Sequence, residues 1–370
     1  MKSTNKIISK DLIIRTVFFI MVISVLAFPE KCSEGVREGV RLFTDSIFPS
    51  LFPFFVLSSF AANSNVSDGL GRTFGAVPKL LSVESGEYSY IISVLSGYPT
   101  STKMICEGYL GGNIRKKDAE ILLILCSNGS AAFIMSFIGS TLLGNTAAAL
   151  ILLTANYLTP IVTAYMFSRS CPKNGTGRKM QETSQKFTYI SAFTNSVSSS
   201  VISAFNVGGY VVIFSIIINI LRGFSGNTVI ASLLLSVLEL SSGCRDIAGM
   251  NISPELRIAF MGFMVCFGGV CVMFQCMSFI EKTDLDVRKF FICKLISGFI
   301  GGSICFVLSK IFLSSHEEVF SPMIYGSNFN YREINFLLLS LMVTIILYTV
   351  ISFKAESENE DKGNFKRSDS

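Results

Sequence analysis

Long apolar runs separated by short charged clusters are what most narrows the folds open to this chain. A helix needs roughly 20 apolar residues to cross the hydrocarbon core of a bilayer. Runs of that kind occupy 12–28, 42–61, 119–140, 147–167, 197–221, 256–280, 290–313 and 334–353. Charged residues make up 15% of the 370 and hydrophobic ones 50%, whereas a soluble domain carries about a quarter charged. Only helices and closed barrels satisfy their backbone polar groups within lipid, and runs this long require helices. The expected fold class is an all-α polytopic membrane protein with about eight transmembrane helices.

Two further apolar stretches are interrupted. The first, 88–110, is broken by Ser96-Gly97-Tyr98-Pro99-Thr100, and the second, 228–250, by Ser241-Ser242-Gly243-Cys244. Positive charge tends to stay on the cytoplasmic side. With Lys2, Lys6 and Lys10 inside, the cluster Arg115-Lys116-Lys117 stays inside only if 88–110 enters and turns back. Arg169 to Lys186, Lys282 to Lys289 and the tail from Lys354 then fall inside as well, and the 314–331 loop falls outside. That bookkeeping makes 228–250 a second re-entrant hairpin, entering from the opposite face.

A repeat supports this layout. Phe43-Thr44-Asp45-Ser46-Ile47 resembles Phe193-Thr194-Asn195-Ser196-Val197. Ser93-Val94-Leu95 and Ser236-Val237-Leu238 precede the two breaks, and Cys126-Ser127-Asn128-Gly129 parallels Cys266-Phe267-Gly268-Gly269. Two such units of opposite orientation form the inverted repeat of many secondary transporters. The expected organisation is 1–38 (cytoplasmic segment and first helix), 39–168 (repeat 1), 169–190 (cytoplasmic linker), 191–313 (repeat 2), 314–353 (external loop and last helix) and 354–370 (charged cytoplasmic tail).

Composition also excludes functions. A scattered net charge of +5 makes no nucleic-acid surface. The ten Cys form no CxxC pair, and the single His, His316, sits in a loop. No catalytic constellation, metal motif or cofactor motif is expected, so the chain is read as no enzyme. The first apolar run follows lysines as a signal peptide does, but no small-x-small site follows it, and it is read as an uncleaved helix.

Unwound backbone at membrane depth persists where it is buried in protein or lines a wet cavity. Half-helix N-termini there carry partial positive charge and free N–H groups. The candidate substrate-binding residues are Ser96, Gly97, Tyr98, Pro99, Thr100, Thr102 and Lys103 in the first hairpin, Asn128 in the third apolar run, and Glu239, Ser241, Ser242 and Gly243 in the second hairpin. Lys103 adds a full charge on the first turn after the break, or snorkels to headgroups. Glu239 carries a coupling proton, pairs with Lys103, or lies at the interface. Asn128 contacts substrate or bonds a neighbouring helix. Arg245 and Asp246 are read as a local ion pair, and Asn195, Ser198, Ser199, Asn206 and Asn219 as a polar line toward protein or a cavity. The implied partners are a small-molecule anion, membrane lipid and a coupling ion, proton or sodium.

Phe48-Pro49-Ser50-Leu51-Phe52-Pro53-Phe54, Ser96-Gly97-Tyr98-Pro99-Thr100 with Lys103, and Ser127-Asn128-Gly129 together resemble the YlbJ-type sporulation integral membrane proteins, which carry a nucleoside-recognition, or Gate, domain. The resemblance covers roughly 40–310. This chain has Ser101-Thr102 where that family has Gly-Ala. The resemblance implies a place in the outer forespore membrane and transport of dipicolinic acid from mother cell toward forespore. A nucleoside or other polar-solute carrier and a non-transporting sporulation scaffold are the alternatives.

Overall fold

The computed structural model describes residues 15–16, 18–63, 76–86, 88–168, 189–225 and 229–313. The expected last span 334–353, the external loop with His316, the charged tail and most of the 169–190 linker lie outside the described residues. Every regular element among the described residues is helical.

The chain enters through α1 (Phe18–Ala27) and α2 (Pro29–Leu42), where Pro29 supplies a pre-set φ to the first turn. A wide turn at Phe43–Ile47 leads into α3 (Phe48–Asn63). The stretch between the first two apolar runs is thus itself helical. This long rod packs along α10 (Tyr189–Ser225), whose 37 residues span about 55 Å. Gly35 and Gly39 set the approach: a Cβ on either would lie 2.7 Å from the backbone of Ile216 or Val212.

Between these rods the chain forms α4 (Ala76–Leu80), a first hairpin of α5 (Tyr88–Ser96) and α6 (Thr100–Leu110), an interrupted helix of α7 (Lys116–Cys126) and α8 (Phe133–Leu143), and the long α9 (Thr146–Ser168). After α10 come a second hairpin of α11 (Val229–Ser236) and α12 (Leu240–Gly249), a second interrupted helix of α13 (Pro254–Phe267) and α14 (Gly269–Ile280), and the long α15 (Val287–Phe312). The order long helix, hairpin, interrupted helix, long helix thus occurs twice.

Two corrections to the sequence reading follow. The runs 119–140 and 256–280 do not continue as plain helices. Each is interrupted, at Ser127–Ser130 and at Gly268. The second hairpin breaks at Val237–Glu239, and Ser241, Ser242, Gly243 and Cys244 lie within α12. Serines and glycine resemble helix breakers, but here they form a first turn whose N–H groups are capped from Glu239.

Five helical spans among the described residues are long and apolar enough to cross a membrane: Pro29–Phe60, Thr146–Ser168, Tyr189–Phe224, Pro254–Ile280 counted across its break at Gly268, and Val287–Phe312. The core is apolar, but so is much of the outer surface of the long helices. Large apolar side chains such as Leu158, Met166, Ile202, Phe205, Phe299 and Ile311 are exposed, as lipid contact requires. Asn156, Glu239, Gln275 and Lys294 are buried. This pattern, with the all-helical fold, is that of a polytopic membrane protein. Small residues let α13 and α15 pack closely, where Gly262 of α13 faces Cys305 of α15 and Gly301 of α15 faces Cys266 of α13.

Candidate functional site

The first break is a tight backbone reversal. Gly97 adopts φ +67°, a region that favours glycine, and a Cβ there would lie 2.8 Å from Asn128 O. The tip therefore lies directly on the break of α7–α8. Tyr98 N donates to Asn128 O at 2.8 Å, and Tyr98 Oη donates to Val265 O at 3.2 Å. The Tyr98–Pro99 peptide is cis. Ser96 Oγ is absorbed by its own helix, donating to Ile92 O. Thr102 Oγ1 shares a 3.1 Å bond with Ser127 Oγ, which ties α6 to the break.

Asn156 of α9 holds the other side of that break. Its Oδ1 accepts from Gly129 N and its Nδ2 donates to Gly129 O, both at 2.9 Å. One side-chain amide thus replaces the two backbone partners that unwinding removes. The sequence places Asn156 in an ordinary apolar run, and nothing local marks it out.

The second break is held differently. Val270 N and Cys271 N leave the helical ladder and donate to Val237 O at 2.9 Å and Leu238 O at 2.8 Å. Glu239 caps α12, accepting from Ser241 N at 2.9 Å and Ser242 N at 2.6 Å. Its carboxylate thus fills the N-terminus that the sequence reading left open for an anion. Among the described residues Glu239 makes no ion pair with Lys103, whose Nζ donates to Ser199 Oγ at 3.3 Å. Gly243 lets the hairpin arms meet, since a Cβ there would overlap Ser236 O.

A crevice with several polar side chains in a largely apolar lining runs from the first hairpin along α10 and α14. One cavity of about 140 Å³ is lined by Ser58, Thr100, Lys103, Glu107, Ser199 and Ser203 among others. A cavity of about 220 Å³ shares Thr100, Lys103 and Ser203 with it and adds Asn206, Tyr210, Gln275 and Lys282. A third, about 40 Å³, shares Pro99, Val207 and Gln275 with the second and reaches Ser130, Glu239 and Ser241. Among the described residues the lining of the 220 Å³ cavity holds Lys103 and Lys282 and no carboxylate, while Glu107 and Glu239 line the cavities adjoining it. Thr100 Oγ1 and Gln275 Oε1, both in the lining, are buried without a hydrogen-bond partner among the described residues, so the crevice presents polar atoms that a solute or water satisfies; Ser101 Oγ and Asn128 Oδ1 are likewise buried without a partner among those residues. Lys282 counts by sequence only as a loop charge; it adds a second cation to the lining.

Of the polar line on α10, Ser199 and Asn206 line the crevice, whereas Asn195 and Ser198 are exposed. Asn219 donates to Glu38 at 2.9 Å. Arg245 and Asp246 do not pair with each other. Arg245 meets Glu38 at 3.4 Å and Asp246 meets Arg222 at 2.5 Å, so they fasten the second hairpin to α2 and α10. Elsewhere, Asp284, in the turn before α15, accepts from Lys116 Nζ at 2.8 Å and Tyr109 Oη at 2.6 Å. Those bonds, Lys116's first, hold the Asp284 carboxyl below its usual range. The same bond raises Lys116.

Sequence reasoning also passes over Lys294 of α15, which is 1% exposed. Its Nζ donates to Ser127 O and lies 5.5 Å from the centroid of the Tyr98 ring. It belongs to an apolar run shortly after Arg288 and Lys289, where one more lysine reads as part of a basic flank.

By sequence, the chain is 20% identical over 330 residues to the sporulation integral membrane protein YlbJ of Bacillus subtilis (strain 168), covering 78% of this chain and 80% of that protein. No family model matches the chain, and no solved structure matches it significantly.

Proposed function

We propose, taking the chain as the YlbJ-type sporulation integral membrane protein that this alignment supports, that it carries a small anionic solute across the membrane. The solute proposed is dipicolinic acid, moved from mother cell toward forespore across the outer forespore membrane. The observation that carries this reading is the 220 Å³ cavity with Lys103 and Lys282 in its lining and, among the described residues, no carboxylate. Two ammonium groups around one space of that size favour a compact dianion. Asn206, Tyr210 and Gln275 line the same space and supply further donors for orientation.

The proposed mechanism is movement of the two hairpins against the long helices, with the two units oppositely oriented in the membrane. Each hairpin tip meets the break of the interrupted helix that follows it, so a shift at either break reaches the crevice wall directly.

A carrier of nucleosides or other neutral polar solutes is the second reading. Gln275 Oε1 lines the cavity without a donor, and a fully ionised dianion has none to give. Uptake into proteoliposomes of the purified chain separates the readings. Labelled dipicolinate is expected to accumulate, and Lys103→Ala and Lys282→Ala are each expected to slow it by roughly tenfold, the loss of one charge-assisted hydrogen bond. Dipicolinate uptake no faster than in empty liposomes removes that substrate. Uridine uptake in its place establishes the second reading.

A further inference from the structure

A lysine with 1% of its surface exposed inside a membrane helix requires a reason. Among the described residues Lys294 forms no ion pair with a carboxylate; its ammonium is met by Ser127 O and by the face of Tyr98. Ser127 is the first residue beyond α7. The last carbonyls of a helix lack intrahelical donors and carry partial negative charge. In carriers built on broken helices, such carbonyl ends are where a coupling cation is held.

The surroundings are those of a cation site. Ser127 O, Asn128 Oδ1 (which has no hydrogen-bond partner among the described residues) and the Tyr98 ring belong to one junction of tip and break. Carbonyl and amide oxygens with a π face suit a monovalent cation. The second break differs, because the carbonyls of Val237 and Leu238 already accept from Val270 and Cys271.

We propose that Lys294 is a tethered cation: its ammonium takes the place at the α7 break that a mobile sodium ion would otherwise fill, so the chain works without sodium. A covalently held charge needs no ion to be captured in each cycle and keeps the break shut around Tyr98. The sodium independence of transport rests on the function proposed above; the role of Lys294 at the break does not.

The test is thermal melting of the purified full-length chain in matched chloride salts of sodium, ammonium and choline. The wild-type chain is expected to melt at one temperature in all three. Lys294→Ala is expected to melt about 5 °C lower in choline and to regain at least half of that loss in sodium or ammonium, whose ions enter the vacated space. Wild-type melting that rises with sodium overturns the proposal, as does an alanine variant indifferent to the cation. If the alanine variant does not fold, Lys294→Arg and Lys294→Gln decide: the arginine variant is expected to melt above the glutamine one, and equal melting overturns the proposal. Melting is independent of transport. Cation-rescued melting without solute uptake would remove the proposed function and leave Lys294 its role. Sodium-dependent uptake by the wild-type chain would do the reverse.

Discussion

In the first half of the molecule the hairpin tip gives a backbone N–H to the interrupted helix, from Tyr98 to Asn128 O; in the second half the tip accepts two, at Val237 O and Leu238 O from Val270 and Cys271. The helper groups differ too. Side chains from distant helices, Asn156 and Lys294, serve the first break. The second is served by backbone and by Glu239 at its own tip. Unwound backbone must be satisfied in either case, but the first solution depends on single side chains from other helices, and the second on backbone–backbone bonds between tip and interrupted helix plus a cap at the tip. The first junction should therefore respond sharply to single side-chain changes, and the second should spread its dependence over the backbone.

The largest effect is expected for Asn156→Leu. It strips both partners from the buried Gly129 peptide groups and should cost about 3 kcal/mol, read as a lower melting temperature in detergent. A loss below about 1 kcal/mol would mean that the first break finds other partners.

Gly97→Ala comes next. It places a Cβ 2.8 Å from Asn128 O at a φ of +67° and should cost about 2 kcal/mol. Hydrogen exchange should show the loss concentrated at 97–98 and 127–130, leaving 237–239 as protected as before.

At the second break the corresponding change is Glu239→Gln. The amide retains one cap acceptor for Ser241 N or Ser242 N but loses the charge, an expected loss of about 1 kcal/mol. A loss as large as that of Asn156→Leu would mean the second break also hangs on one side chain.

The smallest effect is expected away from both breaks, at Asp284→Asn. The Lys116–Asp284 pair is about half exposed at 48% and 65% and is worth under about 1 kcal/mol. Asp284 is held below its usual range, so this contribution is present above the ordinary carboxylate pKa of about 4. It is lost as pH falls through the depressed folded value. The melting temperatures of wild type and variant should therefore converge as acid is added, and a gap that persists would mean the pair is more than a surface contact.

Legibility in the sequence follows the same division. The break at Gly97-Tyr98-Pro99 is readable because glycine and proline act through their own backbone angles. Glu239 is hard to read as a cap, because glutamate is outside the favoured N-cap set, and the serines beyond it attract attention. The interruption at Ser127–Ser130 looks like one polar dip in an apolar run until Asn156 and Lys294 arrive from 27 and 167 residues away. Arg245 and Asp246 look like a local pair, yet each is claimed by another helix.

The surrounding solvent and the long helices are written along the chain itself. Runs of apolar residues select lipid and require helices, and glycine with proline places the first reversal, because these preferences act within a few residues along the chain. The partners were decided only by tertiary structure. Which carbonyl meets Lys294, which amide holds Gly129, and whether a carboxylate caps a helix or faces a solute all depend on approaches between residues far apart in sequence. Burial makes those approaches decisive, since a polar group without water must bond whatever the fold brings within reach.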